Sequence, residues 1–544
     1  MSKVAHYLQE HVQGEVMTSA DARKYFSTDG SIFTVTPSVI VYPRVESDVR
    51  KVARFTWQLA ERGRVIPVTA RGSGTDQSGA ALGSGIMLVF PAHLNRIIEF
   101  DGKSGVVVVE PGINYGKLQQ TLLTHDRFLP PYPASMEYST IGGAIANNAG
   151  GEKSLKYGTT IDYVNSLRVV LANGEVIETR RLSKRELGKK LGLSTFEGEI
   201  YRALDALIEE NQELLDRIRL QTTKNAAGYA LADVKLKDGS FDLTPLFVGS
   251  QGTLGIVTQA ALRTEEYHPS TTLIVAYFND IQQAALAVED LRKLPDLPSA
   301  IEMVDDNMLS MVHAINQNLL KGIIDKPFPK ITLLIEFDEG ERQQKKLTKK
   351  ALKILDKYGA DMDVELDPLK QEQLWKIRHA SGAIVAHSHG TRRALPIIDD
   401  GIVPPEKFHE YIEAIYALFK KYRLPVAVWG HAGDANLHLQ PFLDLSQVGD
   451  RQMAMKLIDA YYDLVISMGG STSADHNDGR LRGPYLEKLY GAEIYQLFEK
   501  VKKIFDPYGT LNPGVKIGVT VADTKPLLRT NYSMDHLYDH LPRL

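Results

Sequence analysis

The chain has 544 residues, 63 Lys+Arg against 67 Asp+Glu, a formal charge of −4 and no cysteine. That length exceeds one hydrophobic core and implies two or three lobes able to enclose a large ligand, while the balanced charge excludes a nucleic-acid footprint and makes small molecules the expected partners. The missing thiols exclude a disulfide framework, a thiolate zinc site, a catalytic Cys and a Cys-held iron–sulfur cluster, so any metal must sit on His and carboxylates.

The opening stretch, MSKVAHYLQEHVQGEV, holds no signal-peptide core, and nothing later reaches eighteen uncharged apolar residues. A soluble, cytoplasmic protein is expected, with peripheral association at the inner membrane left open. From about residue 37 short β-rich runs alternate with Gly-rich turns: SVIVYP, VIPVTA, GIMLVF, IIEF and GVVVVEPG. ESDVRKVARFTWQLAERG carries apolar residues at helical spacing, so the class is α+β. Asn173-Gly174 marks a hairpin, a charged helical insertion is expected over about 183–219, and the strand-like LFVGSQGTLGIVTQAALRT closes the first domain near residue 265. Then TLIVAYF, helical QQAALAVEDLRKL, SAIEMV, ITLLIEF and helical ERQQKKLTKKALKILDKYG predict a second domain on an antiparallel sheet. The expected division is 1–266, 267–500 and a C-terminal segment 501–544.

Three glycine segments carry the first chemical signal. ARGSGTDQSGAA follows the strand VIPVT directly, and successive Gly and Ser let backbone N–H groups converge on an anion such as a pyrophosphate. The spacing matches neither a P-loop nor a G-x-G-x-x-G turn opening a long helix, and a loop of this kind alone is as well read as flexible surface. YPASMEYSTIGGAIANNAGGEKSLKYGTT and GSQGTLGIV repeat the pattern. Gly142, Gly143, Gly150 and Gly151 clear space for a flat ligand, and Thr140, Asn147 and Asn148 offer hydrogen bonds.

Over about Thr34–Thr264 these segments resemble flavoproteins that bind FAD in the vanillyl-alcohol-oxidase, or PCMH-type, fold. The resemblance implies FAD, with Arg71, Gly72, Ser73, Gly74, Thr75, Asp76, Ser78 and Gly79 around the pyrophosphate. It places Pro133, Thr140, Gly142, Gly143, Asn147, Asn148, Gly150, Gly151, Tyr157, Gly158, Gly252, Gly255, Ile256 and Val257 along the rest of the cofactor.

In WGHAGDANLHLQPF two strand-like runs meet at a small-residue turn, so His431 and His438 can point into one pocket. A single buried His is more often a satisfied core residue. Here STSADHNDGR adds Asp475 and His476, and two imidazoles with a carboxylate suit a divalent metal with open positions. This part resembles the D-2-hydroxyacid dehydrogenase branch of the same flavoproteins, which includes D-lactate, D-2-hydroxyglutarate and glycolate dehydrogenases. The resemblance implies His431, His438 and Asp475 as ligands of Zn, Mn or Fe, His476 as catalytic base, Arg378 on the substrate carboxylate and Asn512, in FDPYGTLNPG, near the flavin as the C-terminal segment returns to it. The chain departs from the family pattern in three places: Asp475 stands for the usual Glu, Ala435 for a Gly, and Asn477-Asp478 for the Gly after the base. Ile398 stands where some members carry a substrate lysine, with Arg392 or Arg393 as substitutes.

The implied reaction is oxidation of a 2-hydroxy acid, D-configured and lactate-like, to the 2-oxo acid, with hydride to flavin N5. An external acceptor is implied: a quinone, a carrier flavoprotein, a cytochrome or a separate iron–sulfur subunit. The competing readings are a transferase like alkyl-glycerone-phosphate synthase, of whose histidine run HSHG at 387–390 is a faint echo, and a non-catalytic flavin subunit. KKLTKKALKILDK reads as a solvated helix face, Trp57 and Trp375 as packing residues, and the Tyr-rich tail from Tyr532 is compatible with a homodimer.

Overall fold

The computed structural model describes residues 3–382, 388–389 and 392–534. Near the N-terminus a four-stranded sheet runs in the order Glu15–Met17, Val39–Tyr42, Ile86–Val89, Val68–Arg71, with the last three strands parallel. A five-stranded antiparallel sheet follows, in the order Ile97–Asp101, Val106–Val109, Ile256–Arg263, Val164–Val170, Val176–Thr179. The helix Glu46–Ala60 lays Val49, Val52 and Ala53 against Val39, Val41, Ile86 and Leu88, and Val170 and Ile256 of the second sheet join the same core. The spacing of those buried helix positions is the 3.6-residue period that the sequence carries.

The larger sheet has eight strands, all paired antiparallel. Their order is Asp361–Glu365, Thr272–Phe278, Ile331–Phe337, Ala300–Asp305, Val426–His431, Asn436–Leu443, Arg392–Ala394, Ser388–His389. Its central strands read as unbroken apolar runs because helices cover both faces. Ile274, Ala276, Ile301 and Met303 meet the helices Ile281–Leu291 and Phe408–Tyr422, whereas Leu273, Val275, Val304 and Trp429 meet Asp306–Ile315 and Ile377. Alternate residues of one strand therefore serve two cores.

The strands and helices read from periodicity appear where expected, and the stretch 183–219 folds as the helices Lys184–Leu191, Phe196–Glu210 and Gln212–Ile218. One expectation needs correcting: the apolar run before GSQGTLGIV is not strand. Thr244–Phe247 is a helical turn with proline in its first positions, where the missing N–H costs nothing. The helix Ala492–Phe505 returns to the N-terminal half, where Ile494, Leu497, Phe498, Val501 and Phe505 share a core with Tyr229 and Phe247. Further on, Leu511 bridges to Val68. Among the described residues no helix is long and apolar enough to cross a membrane.

Candidate active site

The strand Val68–Arg71 runs straight into the glycine loop, which bends back because Gly74 adopts φ 78°. A side chain there would also strike Arg71, since a Cβ would lie 2.2 Å from its Nη2. The Asp76 carboxylate ties the loop by accepting from Ala80 N at 2.7 Å and from Asn147 Nδ2 at 3.0 Å. Thr140 caps the helix Ile141–Asn147 by accepting from Gly143 N at 3.1 Å. Gly142 can only be glycine, because a Cβ would meet the Pro111 carbonyl oxygen at 2.8 Å.

These segments enclose a cleft with about 1360 Å³ of non-atom space, its open mouth included. The lining holds Arg71, Gly72, Ser73, Gly74, Thr75, Asp76, Pro133, Thr140, Gly142, Gly143, Asn147, Gly252, Gly255, Ile256 and Val257, and it ends at Asp475 and His476. Arg71 is buried, yet its Nε and Nη2 have no partner among the described residues. A buried guanidinium beside a glycine loop, with Nη1 on the Ala81 carbonyl and two nitrogens left over, is the complement of a pyrophosphate, so this cleft fits FAD.

Other residues assigned to the cofactor lie behind the lining. Ser78 accepts from Gln251 Nε2, Asn148 accepts from Ile161 N, and Gly151 packs on the Tyr132 carbonyl. Tyr157 donates to Asp338 at the contact with the eight-stranded sheet, Gly158 lies against Asp162, and Gly79 against Phe33. Asn512 donates to the Ala80 and Gln251 carbonyls at 2.9 and 2.8 Å, so it joins two lining loops. Gly150 backs the second cluster, since a Cβ on it would lie 3.1 Å from Asp475 Oδ2.

That second cluster grows from the sheet. His431 pairs with Asn436 and Trp429 with His438 across the hairpin. Residues two apart on a strand share a face, so both imidazoles emerge on the side that carries Trp429 and Val304. Their rings lie 5.1 Å apart, and His438 stacks on His476 at 5.0 Å. Glu302, on the same face of the neighbouring strand, accepts from His431 Nδ1 at 2.7 Å and from Arg378 Nε at 2.6 Å. Asp399 accepts from His438 Nδ1 at 2.8 Å, and its other oxygen lies 2.9 Å from His476 Nδ1, within ion-pair distance but off the hydrogen-bond direction. Asp400 accepts from the backbone N–H groups of Ala474, Asp475 and His476 at 3.0, 3.0 and 2.8 Å, and so shapes the loop that carries the acid and the base.

Asp475 Oδ2 takes a 2.6 Å bond from buried Lys224 and lies 3.7 Å from His431 Nε2. Its Oδ1 is buried, lies 3.8 Å from His476 Nε2 and has no hydrogen-bond partner among the described residues. Burial alone would lower His476, but the Asp399 and Asp400 carboxylates outweigh it and push the ring up to about 9. His438 goes the other way, down to about 4, because burial dominates over Asp399. Burial would raise Glu302, yet His431 and Arg378 hold it at about 2. Burial and the nearby Asp475 raise Asp400 to about 6.

The donors fit a divalent cation. Both hairpin imidazoles have Nδ1 engaged by a carboxylate, which leaves Nε2 to bind outward. The buried carboxylates Glu302, Asp399, Asp400, Asp434 and Asp475 exceed the buried cations Lys224, Arg378 and Arg482. Among the described residues the triplets whose ligand atoms lie mutually within 4.8 Å are Asp399, His438, His476 and Asp400, Asp475, His476. His431 belongs to neither and approaches only through Asp475. Arg378 is buried on Glu302 rather than at the surface, Arg392 is exposed, and Arg393 donates to the Tyr532 carbonyl. Ile398 is fully buried, and His387 and Gly390 of HSHG lie outside the described residues.

The departures from the family pattern have backbone consequences. Asn477 sits at φ 65° and Ala435 at φ 56°, left-handed positions where glycine is at ease. Asn477 recovers the cost with its side chain, which donates to the Asn147 and Gly249 carbonyls and accepts from Lys516. Sequence reading missed Lys224, Glu302, Asp399 and Asp400 as site residues. The signal available was a lone acid inside the apolar strand SAIEMV and the paired acids after PII; Lys224 offered none.

A dinucleotide-sized cleft that ends in an imidazole–carboxylate cluster, on this arrangement of sheets, defines a flavoprotein. Residues 37–180 match the family described as FAD binding domain, and residues 268–515 the one described as FAD linked oxidases, C-terminal domain. The chain thus pairs a segment similar to an FAD binding domain with one similar to the C-terminal domain of FAD linked oxidases. It is 29% identical over 535 residues to D-2-hydroxyglutarate dehydrogenase of Escherichia coli (strain K12), covering 94% of this chain and 51% of that one. To glycolate oxidase subunit GlcD of Bacillus subtilis (strain 168) it is 29% identical, with 88% of each chain covered. To D-lactate dehydrogenase of Archaeoglobus fulgidus it is 28% identical, covering 88% of this chain and 90% of the relative. The chain spans about half the length of the hydroxyglutarate dehydrogenases it matches. Among solved structures, 4-ethylphenol oxidase from Gulosibacter chungangensis superposes with a TM-score of 0.69 at 15% identity, covering 96% of this chain and 99% of that one. An alkyldihydroxyacetonephosphate synthase gives 0.60 at 17%, covering 92% and 82%. At such identities these two show the fold alone, which is PCMH-type.

Proposed function

We propose that this chain is an FAD-dependent dehydrogenase of a small 2-hydroxy acid, D-configured and lactate-like, that yields the 2-oxo acid. The observation that carries this reading is that Asp475 and His476 line the same cleft as the glycine loop, with His431 and His438 beside them. When bound, FAD supplies the two-electron acceptor and a divalent ion supplies Lewis acidity at the substrate hydroxyl. The residues that would hold the ion are His431 and His438 through Nε2 and Asp475 through Oδ1. Arg71 and the glycine loop hold the pyrophosphate, and the Arg378 N–H groups not engaged by Glu302 orient the substrate carboxylate.

His476 Nε2 takes the hydroxyl proton. Positive charge held at Asp475 opposes the pull of Asp399 and Asp400 on that ring, and so keeps it ready to accept. An external acceptor of the classes named above reoxidises the cofactor; the Bacillus subtilis relative is itself a subunit of a glycolate oxidase. We also propose that the chain divides at 1–266, 267–500 and 501–544, with the metal site in the middle part.

The test is a screen of D-2-hydroxy acids for bleaching of the flavin absorbance, with metal analysis of the purified protein. A D-2-hydroxy acid is expected to bleach the wild type. His476→Ala should bind flavin but be reduced roughly a hundredfold more slowly, the scale of general-base catalysis. An unchanged rate removes His476 from the chemistry, and full activity after verified metal removal makes the histidine pair structural.

A further inference from the structure

We propose that Glu302 and Asp399 are positioning residues, each tying one hairpin imidazole to a second group: Glu302 joins His431 to Arg378, and Asp399 joins His438 to His476. The inference rests on the active-site reading above and deepens it. Both carboxylates are 1% exposed or less, a setting in which an acid without charged or hydrogen-bonding partners is costly. In Glu302, Oε1 serves His431 at 2.7 Å and Oε2 serves Arg378 at 2.6 Å. In Asp399, Oδ1 serves His438 at 2.8 Å and Oδ2 lies 2.9 Å from His476.

Neither acid is free to follow one partner without releasing the other. Asp399 is pinned further through its carbonyl oxygen, which accepts from Arg482 Nη2 at 2.9 Å. Glu302 sits mid-strand between the pairings of Ala300 with Glu336 and Met303 with Gly430. Because each acid takes a hydrogen bond from the Nδ1 of one hairpin imidazole, those two rings present Nε2 and cannot rotate without losing their acid, while His476 is held to Asp399 by ion-pair contact. A shift of His438 toward a cation is therefore felt at His476, and a shift of His431 is felt at Arg378. Cation binding and the placement of Arg378 and His476, the two groups proposed above to meet the substrate, become one event through two separate carboxylates.

Substitution by the isosteric amide tests this. An amide keeps the shape but offers one accepting oxygen, while its NH₂ repels an Nδ1–H, so it can serve one partner only. In FAD-loaded protein, Asp399→Asn and Glu302→Gln should each weaken zinc binding, measured by competition with a chelating dye, by about 10- to 100-fold. They should split in steady-state kinetics: Asp399→Asn lowers kcat tenfold or more with KM little changed, whereas Glu302→Gln raises KM for the hydroxy acid with kcat little changed. Flavin content and unfolding temperature serve as folding controls, and each variant stands alone if the other fails them. Unchanged zinc affinity in a folded variant overturns the proposal, as does weakened zinc binding with the same kinetic effect in both. If the wild type oxidises no 2-hydroxy acid, the functional reading fails by itself, and the zinc affinities then decide the coupling alone.

Discussion

Ala435 occupies a conformation that its Cβ resists. It closes the turn between the two hairpin histidines at φ 56°, where an L side chain meets the following carbonyl. The cost is about 1 kcal/mol. Ala435→Gly should raise stability by about that amount in urea unfolding with an unchanged slope; a loss would mean the Ala435 methyl packs better than its backbone suffers. Part of the candidate site was legible in the sequence: His431 and His438 flank a small-residue turn between strand-like runs, and the resemblance pointed to the Asp475-His476 pair. Their partners were not. Glu302 lies 129 positions from His431 and 76 from Arg378 in the chain. Only the pairing of the strand Ala300–Asp305 with Val426–His431 brings them onto one face, and nothing local encodes that neighbour. Lys224 reaches Asp475 across 251 positions from a segment with no periodicity at all.

At the level of elements, periodicity worked where an element packs by one face or by both, as in Glu46–Ala60 or Thr272–Phe278. It failed at Thr244–Phe247, since four apolar residues are too few to distinguish a strand from a buried helical turn, and the proline at its start was the better guide. The short helix Ser154–Tyr157 has a role its length conceals. Lys153 pairs with Glu336, Lys156 donates to Asp338 at 2.5 Å, and Tyr157 donates to the same carboxylate at 2.9 Å, which fastens the glycine segment to the eight-stranded sheet. Close by, His379 at the end of the helix Pro368–His379 meets Glu152 at 3.1 Å. Burial pulls His379 down, but Glu152 outweighs it and the net shift is upward from 6.5. A raised value in the fold means the contact stabilises fully below 6.5 and is lost as pH rises through the folded value. His379 is half exposed, so the effect is small and salt-sensitive. Thermal unfolding of His379→Gln should accordingly lose less stability than wild type on going from roughly pH 6 to pH 8; parallel losses would show that the pair carries no weight.

For the whole molecule, the sheets and the antiparallel second half followed from the sequence and the return of the segment 501–544 came through the resemblance, whereas the destination of the helix Ala492–Phe505 was not read. Ala492–Phe505 has an ordinary amphipathic pattern, and no local feature says which core receives its apolar face. It enters the N-terminal core, with Phe505 5.3 Å from Phe247 and Phe498 5.9 Å from Tyr229. Each of its five buried apolar side chains contributes about 2 kcal/mol, together comparable to the full stability of a domain. A chain ended at residue 490 should thus fail to retain flavin, and expose its N-terminal half to protease, although every glycine of the cofactor loop is present. Flavin retained at wild-type stoichiometry would contradict this.

The wholly buried pair of Lys516 and Asp478, with Asn512 spanning two loops of the cleft, also sets an order of events during synthesis. The N-terminal half leaves the ribosome early but lacks its last packing pieces until some 240 further residues have emerged, the stretch from 266 to about 505. Through that interval the nascent chain holds a half-built cradle that lacks the apolar side chains of the closing helix. Coenzyme capture is consequently among the final steps of maturation.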